Sequence, residues 1–306
     1  MGAEAGRLRF VLALPMIPAE RLVPLARPRS RVGDAVALPD SVFYPEQVSG
    51  AYPFTADGQR FWAPGAPWIE PFVGMAAIAA STERVSLLTN VLKATLREPL
   101  LVAKSLGSLA AMFPGRIELG VGLSWMPEEY RFLRQDKSTR GARLDELIDI
   151  VRSLLAGGFV EFHGAHYDFD RLRMDPVPPP QAQVPIHVGG HSGAAMRRAA
   201  RRGDGWIGAQ TTLADLDGLS RRLALARAEV AEADGCRLEP DDPSFSVMVT
   251  PLVAPTPAAM TSVAERGVTH VITAPWYFSG GDPLDELVQV DSVGWFAERV
   301  IDPLRK

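Results

Sequence analysis

The chain has 306 residues, 47% of them hydrophobic and 22% charged, enough for a large buried core and too apolar for a disordered polymer. A net charge of −4 with both signs interspersed excludes the broad basic face that nucleic acid or an anionic membrane requires. The single cysteine, Cys236, excludes an internal disulfide and any thiolate metal cluster.

The start, Met1 to Arg9, is short and polar, and no apolar run approaches the roughly 20 residues of a membrane span. A cytoplasmic protein of one domain, residues 1–306, is expected. In chain order, strands are predicted over 8–14 and 35–38. The stretch 41–70 follows, rich in Pro, Gly and aromatics (Phe43, Tyr44, Tyr52, Phe54, Phe61, Trp62, Trp68). A connection this long inside a compact domain reads as a lid or binding loop. A helix at 71–81, a strand at 85–88, a helix at 99–112, a strand at 117–121 and a helix at 141–155 come next. In the last, Leu144, Leu147, Ile148, Val151 and Leu155 form one apolar stripe, and Arg143, Asp145, Glu146 and Asp149 are expected to face water.

Segment 159–183 reads as a small hairpin, 159–162 against 166–169, followed by the extended tract Pro176-Val-Pro-Pro-Pro-Gln. Beyond it lie a strand at 185–188, a helix at 193–202, a strand at 205–207, a helix at 213–233, a strand at 245–253, a helix at 257–265, a strand at 268–273 and a last helix at 293–304. Eight β-rich runs alternating with helical segments are the pattern of parallel strands joined by crossovers, an α/β protein of the (β/α)8 TIM-barrel kind with insertion loops.

In such a barrel the active groups come from the carboxyl ends of the strands. Those ends are Leu14-Pro15-Met16, Pro39-Asp40-Ser41, Thr89-Asn90-Val91, Gly122-Leu123-Ser124-Trp125, Gly189-Gly190-His191-Ser192, Ala209-Gln210-Thr211, Thr250-Pro251 and Ala274-Pro275-Trp276-Tyr277. The strongest local signal is Val188-Gly-Gly-His-Ser-Gly-Ala-Ala, a strand passing through two glycines into a helix. Backbone N–H groups there approach an anion closely, and the helix dipole favours negative charge. The alternative is an ordinary turn with Ser192 as helix cap. His191 reads either as a phosphate donor or as a surface loop residue. His163, His166 and His187 lack the spacing of a metal site, so no metal is expected. Neither a nucleophile elbow nor a Walker loop is present, and Gly122 gives room for a flat ring.

Several runs carry a family resemblance: Thr82-Glu-Arg-Val-Ser-Leu-Leu-Thr-Asn-Val-Leu, Arg97-Glu-Pro-Leu-Leu-Val-Ala-Lys, Gly115-Arg-Ile-Glu-Leu-Gly-Val-Gly-Leu-Ser-Trp, Val188-Gly-Gly-His-Ser and Gly203-Asp-Gly-Trp. Together they resemble the luciferase-like monooxygenase superfamily, in particular its F420-dependent oxidoreductases. The resemblance implies a flavin-type ring over the carboxyl ends of the strands, with its phosphate on Gly189, Gly190, His191 and Ser192 and with Gln210 and Thr211 close by. It also implies that Thr89, Asn90 and Val91 pass beneath the ring, often through a non-prolyl cis peptide, and that Gly122 and Trp125 border it.

The pattern departs from the family in two places. Many F420-dependent members carry Asp-His after the second strand, where this chain has Asp40-Ser41, and Trp125 stands where some dehydrogenases have a glutamate. A sugar- or alcohol-oxidising mechanism is therefore less supported, because Ser41 is not a base near neutral pH. The candidates for catalysis are Asp40, Ser41 and Trp125, with Asp40 either in a proton role or as a loop cap. The first expectation is hydride transfer between reduced F420 and a small apolar or cyclic organic substrate under the lid. An FMN-dependent monooxygenase fed by a partner reductase is the alternative, and a non-catalytic flavin-binding protein a third. Arg197, Arg198, Arg201 and Arg202 are candidates to meet the anionic tail of F420. The resemblance also implies a homodimer, for which Met75, Ala76, Ile78 and Leu106 serve either as the interface or as barrel-facing core.

Overall fold

A computed structural model describes residues 7–27, 33–233 and 235–305; residues 1–6 of the expected polar start, and Asp234 beside Cys236, lie outside them. Its elements, in chain order, begin with strand β1 (Arg9–Ala13), helix α1 (Ala19–Ala26), β2 (Ala35–Leu38), α2 (Pro71–Ala79), β3 (Ser86–Thr89), the two-residue β4 (Leu92–Lys93), α3 (Pro99–Met112) and β5 (Ile117–Gly122). Helices α4 (Pro127–Phe132) and α5 (Arg140–Leu155) precede a hairpin of β6 (Phe159–His163) and β7 (Asp168–Arg173). The chain continues through β8 (Ile186–Gly189), α6 (Gly193–Arg202), β9 (Gly205–Thr211), α7 (Leu213–Glu232), β10 (Ser246–Pro251), α8 (Pro257–Ala264) and β11 (His270–Thr273). It ends in α9 (Glu286–Phe296), a π-helical turn and the short α10 (Asp302–Leu304).

Eight of these strands pair in parallel in the order β3-β2-β1-β11-β10-β9-β8-β5, and β3 pairs with β5 to close the cylinder. The alternation of a strand explains how one sequence lines both faces of the wall. Phe10 and Leu12 of β1 point outward to the helical layer, while Val11 and Ala13 point inward. The interior is filled by Val11, Ala13, Ala35, Ala37, Leu88, Ile207, Met248 and Ile272. At the amino-terminal end the inward positions turn ionic. His187 Nε2 lies 2.9 Å from Glu118 Oε2. Burial raises the Glu118 carboxyl, but the hydrogen bond and charge of His187, with His270 and Arg9, outweigh it and bring the group to about 2. His270 is pushed down to about 4, chiefly by burial.

The differences from expectation have local causes. Helix α1 carries Pro24 inside it, which hides its period. Strand β9 runs to Thr211, because Gly208 and Ala209 look like a turn in sequence yet continue the ladder. The second hairpin strand starts at Asp168 rather than 166, since Glu146 accepts the amides of Ala165, His166 and Tyr167 and makes them a loop. The last helix starts at Glu286, where Asp285 accepts the Leu287 and Val288 amides.

One assignment needs correction, and one open alternative is decided. The polar face of α5 looks only partly into water: Arg143 is buried on the Thr95 carbonyl, while the half-exposed Asp145 pairs with Arg198 at 2.7 Å and Asp149 with Arg202 at 2.9 Å. Met75, Ile78 and Leu106 are fully buried in the core between barrel and helices, so they form no subunit interface; Ala76 packs against the same core. No described helix is long and apolar enough to cross a membrane.

Candidate functional site

The turn from β8 into α6 opens at the mouth of the cylinder. Gly190 takes φ +130°, a conformation that L side chains rarely adopt. Its amide donates to the Ile207 carbonyl at 3.1 Å, and its own carbonyl accepts from Trp206 Nε1 at 2.7 Å. The His191 carbonyl accepts from Arg222 Nη2 on α7, also at 2.7 Å. In a trans peptide the carbonyl and the following N–H point in opposite directions. Trp206 and Arg222 therefore aim the His191 and Ser192 amides away from themselves.

Ser192 caps α6 by accepting the Ala195 amide at 3.2 Å. The amides of His191, Ser192, Gly193 and Ala194 donate to no acceptor among the described residues. Four donors in a row at a helix start, without Cβ atoms at Gly189, Gly190 and Gly193, form a nest for an anion. The His191 ring sits between Phe54 (5.7 Å between centroids) and Trp206 (6.0 Å), and its Nε2 is buried without a hydrogen-bond partner. Burial, aided by the charge of Arg222, lowers its pKa, which keeps the imidazole neutral near pH 7.

Beside the nest the barrel interior ends in small residues. Ala13, Ala37, Gly122, Gly189 and Ala209 occupy the last inward positions, and one side chain fills the space between them. This is Val91, which follows a cis peptide from Asn90. A Cβ on Gly122 would stand 2.6 Å from Val91 Cγ2, and one on Gly189 would stand 2.9 Å from Cγ1. Gly122 thus makes room for Val91 rather than directly for a ring, and the two glycines seat Val91 as a flat floor. Thr89 is wholly buried; its Oγ1 donates to the Gly120 carbonyl at 2.7 Å and accepts the Gly120 amide at 2.9 Å, tying β3 to β5 just below.

Asp40 is engaged on all sides. It accepts Arg97 Nη1 at 2.6 Å and Nη2 at 3.0 Å, and the Lys93 amide at 2.8 Å. Arg97 also reaches Glu70 at the end of the lid, 3.6 Å away. This arrangement matches the loop-capping reading of Asp40. The Ser41 hydroxyl bonds to no described group. Behind them runs a buried chain in which Lys93 Nζ pairs with Glu129 at 2.6 Å, Ser124 donates to Glu129, and Tyr130 receives the Ser124 amide at 3.1 Å.

The 41–70 segment folds over the mouth as an aromatic sheet. Tyr52 meets Phe54, Phe61, Trp62 and Trp125 at centroid distances of 5.3–5.8 Å. Through Tyr52 and Phe54 the lid joins Trp125, after β5, to His191, after β8. Burial pushes the Tyr52 phenol up to about 12, so it remains a hydrogen-bond donor throughout the physiological range.

Of the residues singled out in the sequence, the structure brings Val91, Gly122, Gly189, Gly190, His191 and Ser192 together, with Trp125 at the other edge of the lid. Thr211 turns its hydroxyl inward to the Ala209 carbonyl at 2.9 Å, and Gln210 takes φ +31° at the end of β9. The arginines of α6 do not face the nest as a group: Arg198 and Arg202 are held by α5 acids, and Arg197 lies 3.9 Å from Glu229. Sequence reading missed Trp206 and Arg222, which shape the turn from 16 and 31 positions away. For Trp206 the signal was the Gly203-Asp-Gly-Trp run; for Arg222 there was none.

A closed parallel barrel with unpaired amides and an aromatic loop at its carboxyl end defines a (β/α)8 barrel of the kind that builds its site from the loops after the strands. Residues 40–289 match the family model for luciferase-like monooxygenases, and the chain belongs to that family. It is 38% identical to an uncharacterised protein of Mycobacterium tuberculosis over 96% of this chain and 99% of that one. It is 34% identical to the F420-dependent glucose-6-phosphate dehydrogenase of Nakamurella multipartita over 180 residues, 55% of this chain and about half (47%) of that enzyme. Among solved structures, a monooxygenase of Streptomyces bottropensis superposes with a TM-score of 0.72 at 18% identity, covering 97% of this chain and 99% of that one. The coenzyme F420-dependent tetrahydromethanopterin reductase of Methanopyrus kandleri does so equally, with 0.72 at 12% identity and the same coverage.

Proposed function

We propose that this family member is an oxidoreductase working with F420, the nest receiving the phosphate and the Val91 floor the ring. The observation that carries the reading is the row of unpaired amides from His191 to Ala194, beside the Val91 side chain seated on Gly122 and Gly189. Relatives named as F420-dependent dehydrogenases support it. A reduced deazaflavin bound there would supply a hydride, recharged by a separate F420 reductase.

The protein's own part is to bind, orient and exclude water. The amides and the neutral His191 ring would hold the phosphate, and Val91 would be the side chain beneath the ring. Trp125 and Tyr52 close over the substrate, and the Tyr52 hydroxyl can donate to a substrate carbonyl. With Asp40 tied to Arg97 and Ser41 lacking basicity, the mouth offers no strong base for oxidising an alcohol. Its aromatic wall suits an apolar or cyclic substrate.

Titration of the purified protein with F420 and with FMN, followed by quenching of protein and cofactor fluorescence, tests the reading. Tight F420 binding is expected. Binding of FMN alone would turn the protein into an FMN monooxygenase of the same fold, and binding of neither would leave a non-catalytic barrel.

A further inference from the structure

We propose that Glu128, at the start of α4, is a positioning residue: its carboxylate latches the 41–70 segment over the mouth, and its hold on Ser49 sets how often the mouth opens. The consequence for cofactor exchange rests on the F420 reading above; the latch itself does not.

Three observations lead to it. First, one oxygen of Glu128 accepts both the Ser49 amide at 3.0 Å and the Ser49 hydroxyl at 2.7 Å. Among the described residues these are the hydrogen bonds that join residues 42–69 to the rest of the chain. Glu128 is buried, and its second oxygen has no partner, so a carboxylate is kept out of water to hold one residue of the lid. Second, the lid backbone sits down on the same turn. A Cβ on Gly50 would stand 3.0 Å from Pro127 Cδ and 3.6 Å from the Trp125 carbonyl oxygen, and the Tyr52 ring two residues on meets Trp125 at 5.5 Å. Phe43 meets Phe132, at the far end of α4, at 5.7 Å. Third, this seat is itself fixed. Glu129, the next residue, is fully buried and pairs with Lys93 at 2.6 Å, while the Tyr130 hydroxyl lies 3.2 Å from Thr95 Oγ1. Adjacent carboxylates thus serve opposite sides: Glu129 ties α4 to the barrel, and Glu128 ties the lid to α4. The ring contacts of the lid are non-directional, so the Ser49 bonds fix where Tyr52 meets Trp125. Glu128 belongs to neither the nest nor the Val91 floor, so its loss should open the lid equally in the free and the loaded protein.

The test compares wild type with Glu128→Ala, Glu128→Gln, Ser49→Ala and the double alanine variant. Lid opening is read on the cofactor-free protein as the rate of tryptic cleavage after Arg60, the one basic residue between 41 and 70, since cleavage of a native loop follows the population of its open form. Glu128→Ala should raise that rate about tenfold, the worth of a hydrogen bond to a charged group. Ser49→Ala, which keeps the amide bond, and Glu128→Gln, which keeps an acceptor oxygen, should raise it less, and the double variant should be no faster than Glu128→Ala. Cleavage after Arg131, inside α4, should not change. In stopped-flow mixing of Glu128→Ala with F420, the association and dissociation rates should rise together several-fold, with the dissociation constant within about twofold of wild type. Unchanged cleavage after Arg60, or additive effects of the two alanines, overturns the latch. Faster cleavage after Arg131 overturns it as well, because α4 itself would have come loose. Faster cleavage after Arg60 with unmoved F420 rates overturns its control of the mouth. A wild type that binds no F420 overturns the cofactor reading, and the cleavage series still decides the latch.

Discussion

Replacing Gly122 by alanine puts the floor of the site under direct test. The added Cβ would stand 2.6 Å from Val91 Cγ2, about 1 Å inside an ordinary carbon–carbon contact. Val91 cannot retreat sideways, because Gly189 leaves only the room of a missing methyl on the other flank, where a Cβ would be 2.9 Å from Cγ1. The side chain must rise toward the mouth. Overpacking of this kind costs about 1–3 kcal/mol, so Gly122→Ala should lower the melting temperature by about 2–5 °C. It should also weaken F420, as Val91 occupies the plane proposed for the ring. Val91→Ala removes both methyls and is the relief. In a thermal-denaturation cycle the double variant should be less destabilised than the sum of the singles by at least about 1 kcal/mol. Gly120→Ala is the control: its Cβ would strike the Thr89 backbone oxygen, so Val91→Ala should not rescue it. Additive effects of Gly122→Ala and Val91→Ala would refute the packing argument.

Asp40→Asn should cost about 3 kcal/mol, because it leaves the half-buried Arg97 guanidinium without its carboxylate; loss of turnover with an unmoved melting curve would instead give Asp40 a proton role. His270 predicts acid lability. With its pKa lowered from 6.5 to about 4, the unfolded chain takes up a proton between those values that the folded chain refuses, so stability rises with pH across that window. Chemical denaturation at pH 5 should show about 2 kcal/mol less stability from this group than at pH 8, and His270→Gln should flatten that slope. Arg198→Met should lower stability through its lost bond to Asp145 without changing F420 affinity, a pair of readouts that shows whether the α6 arginines serve the fold or the cofactor.

The barrel is readable in the sequence because a parallel strand buried on both faces must be short and apolar, and the segments around Phe10, Val36, Leu87, Leu119 and Val188 are. The Gly-Gly-His-Ser turn is readable for a similar reason, since its chemistry is local. What periodicity cannot show is what an element packs against. Arg143, Asp145 and Asp149 look solvated on an isolated helix, and only the arrival of the Thr95 carbonyl buries the first and only that of α6 pairs the other two. Met75, Ile78 and Leu106 fit a dimer face or a core equally until the barrel wall lies beneath them. Likewise Gly122 and Gly189 come from two strands and Val91 from the turn after a third, and their meeting is a property of barrel closure alone.

The central claim is that backbone donors at the start of α6 hold the anion, and Gly193→Pro addresses it with little else disturbed. Position 193 is the first residue of the helix, where proline is well tolerated, and Ser192 before it already has the extended conformation that proline requires (φ −76°, ψ 152°). The variant deletes one unpaired N–H and nothing that the fold uses. Its melting temperature should match or exceed that of wild type. Its F420 affinity should fall about tenfold or more, the worth of one hydrogen bond to a charged group. A Gly193→Pro protein that melts like wild type and binds F420 just as tightly would contradict the account.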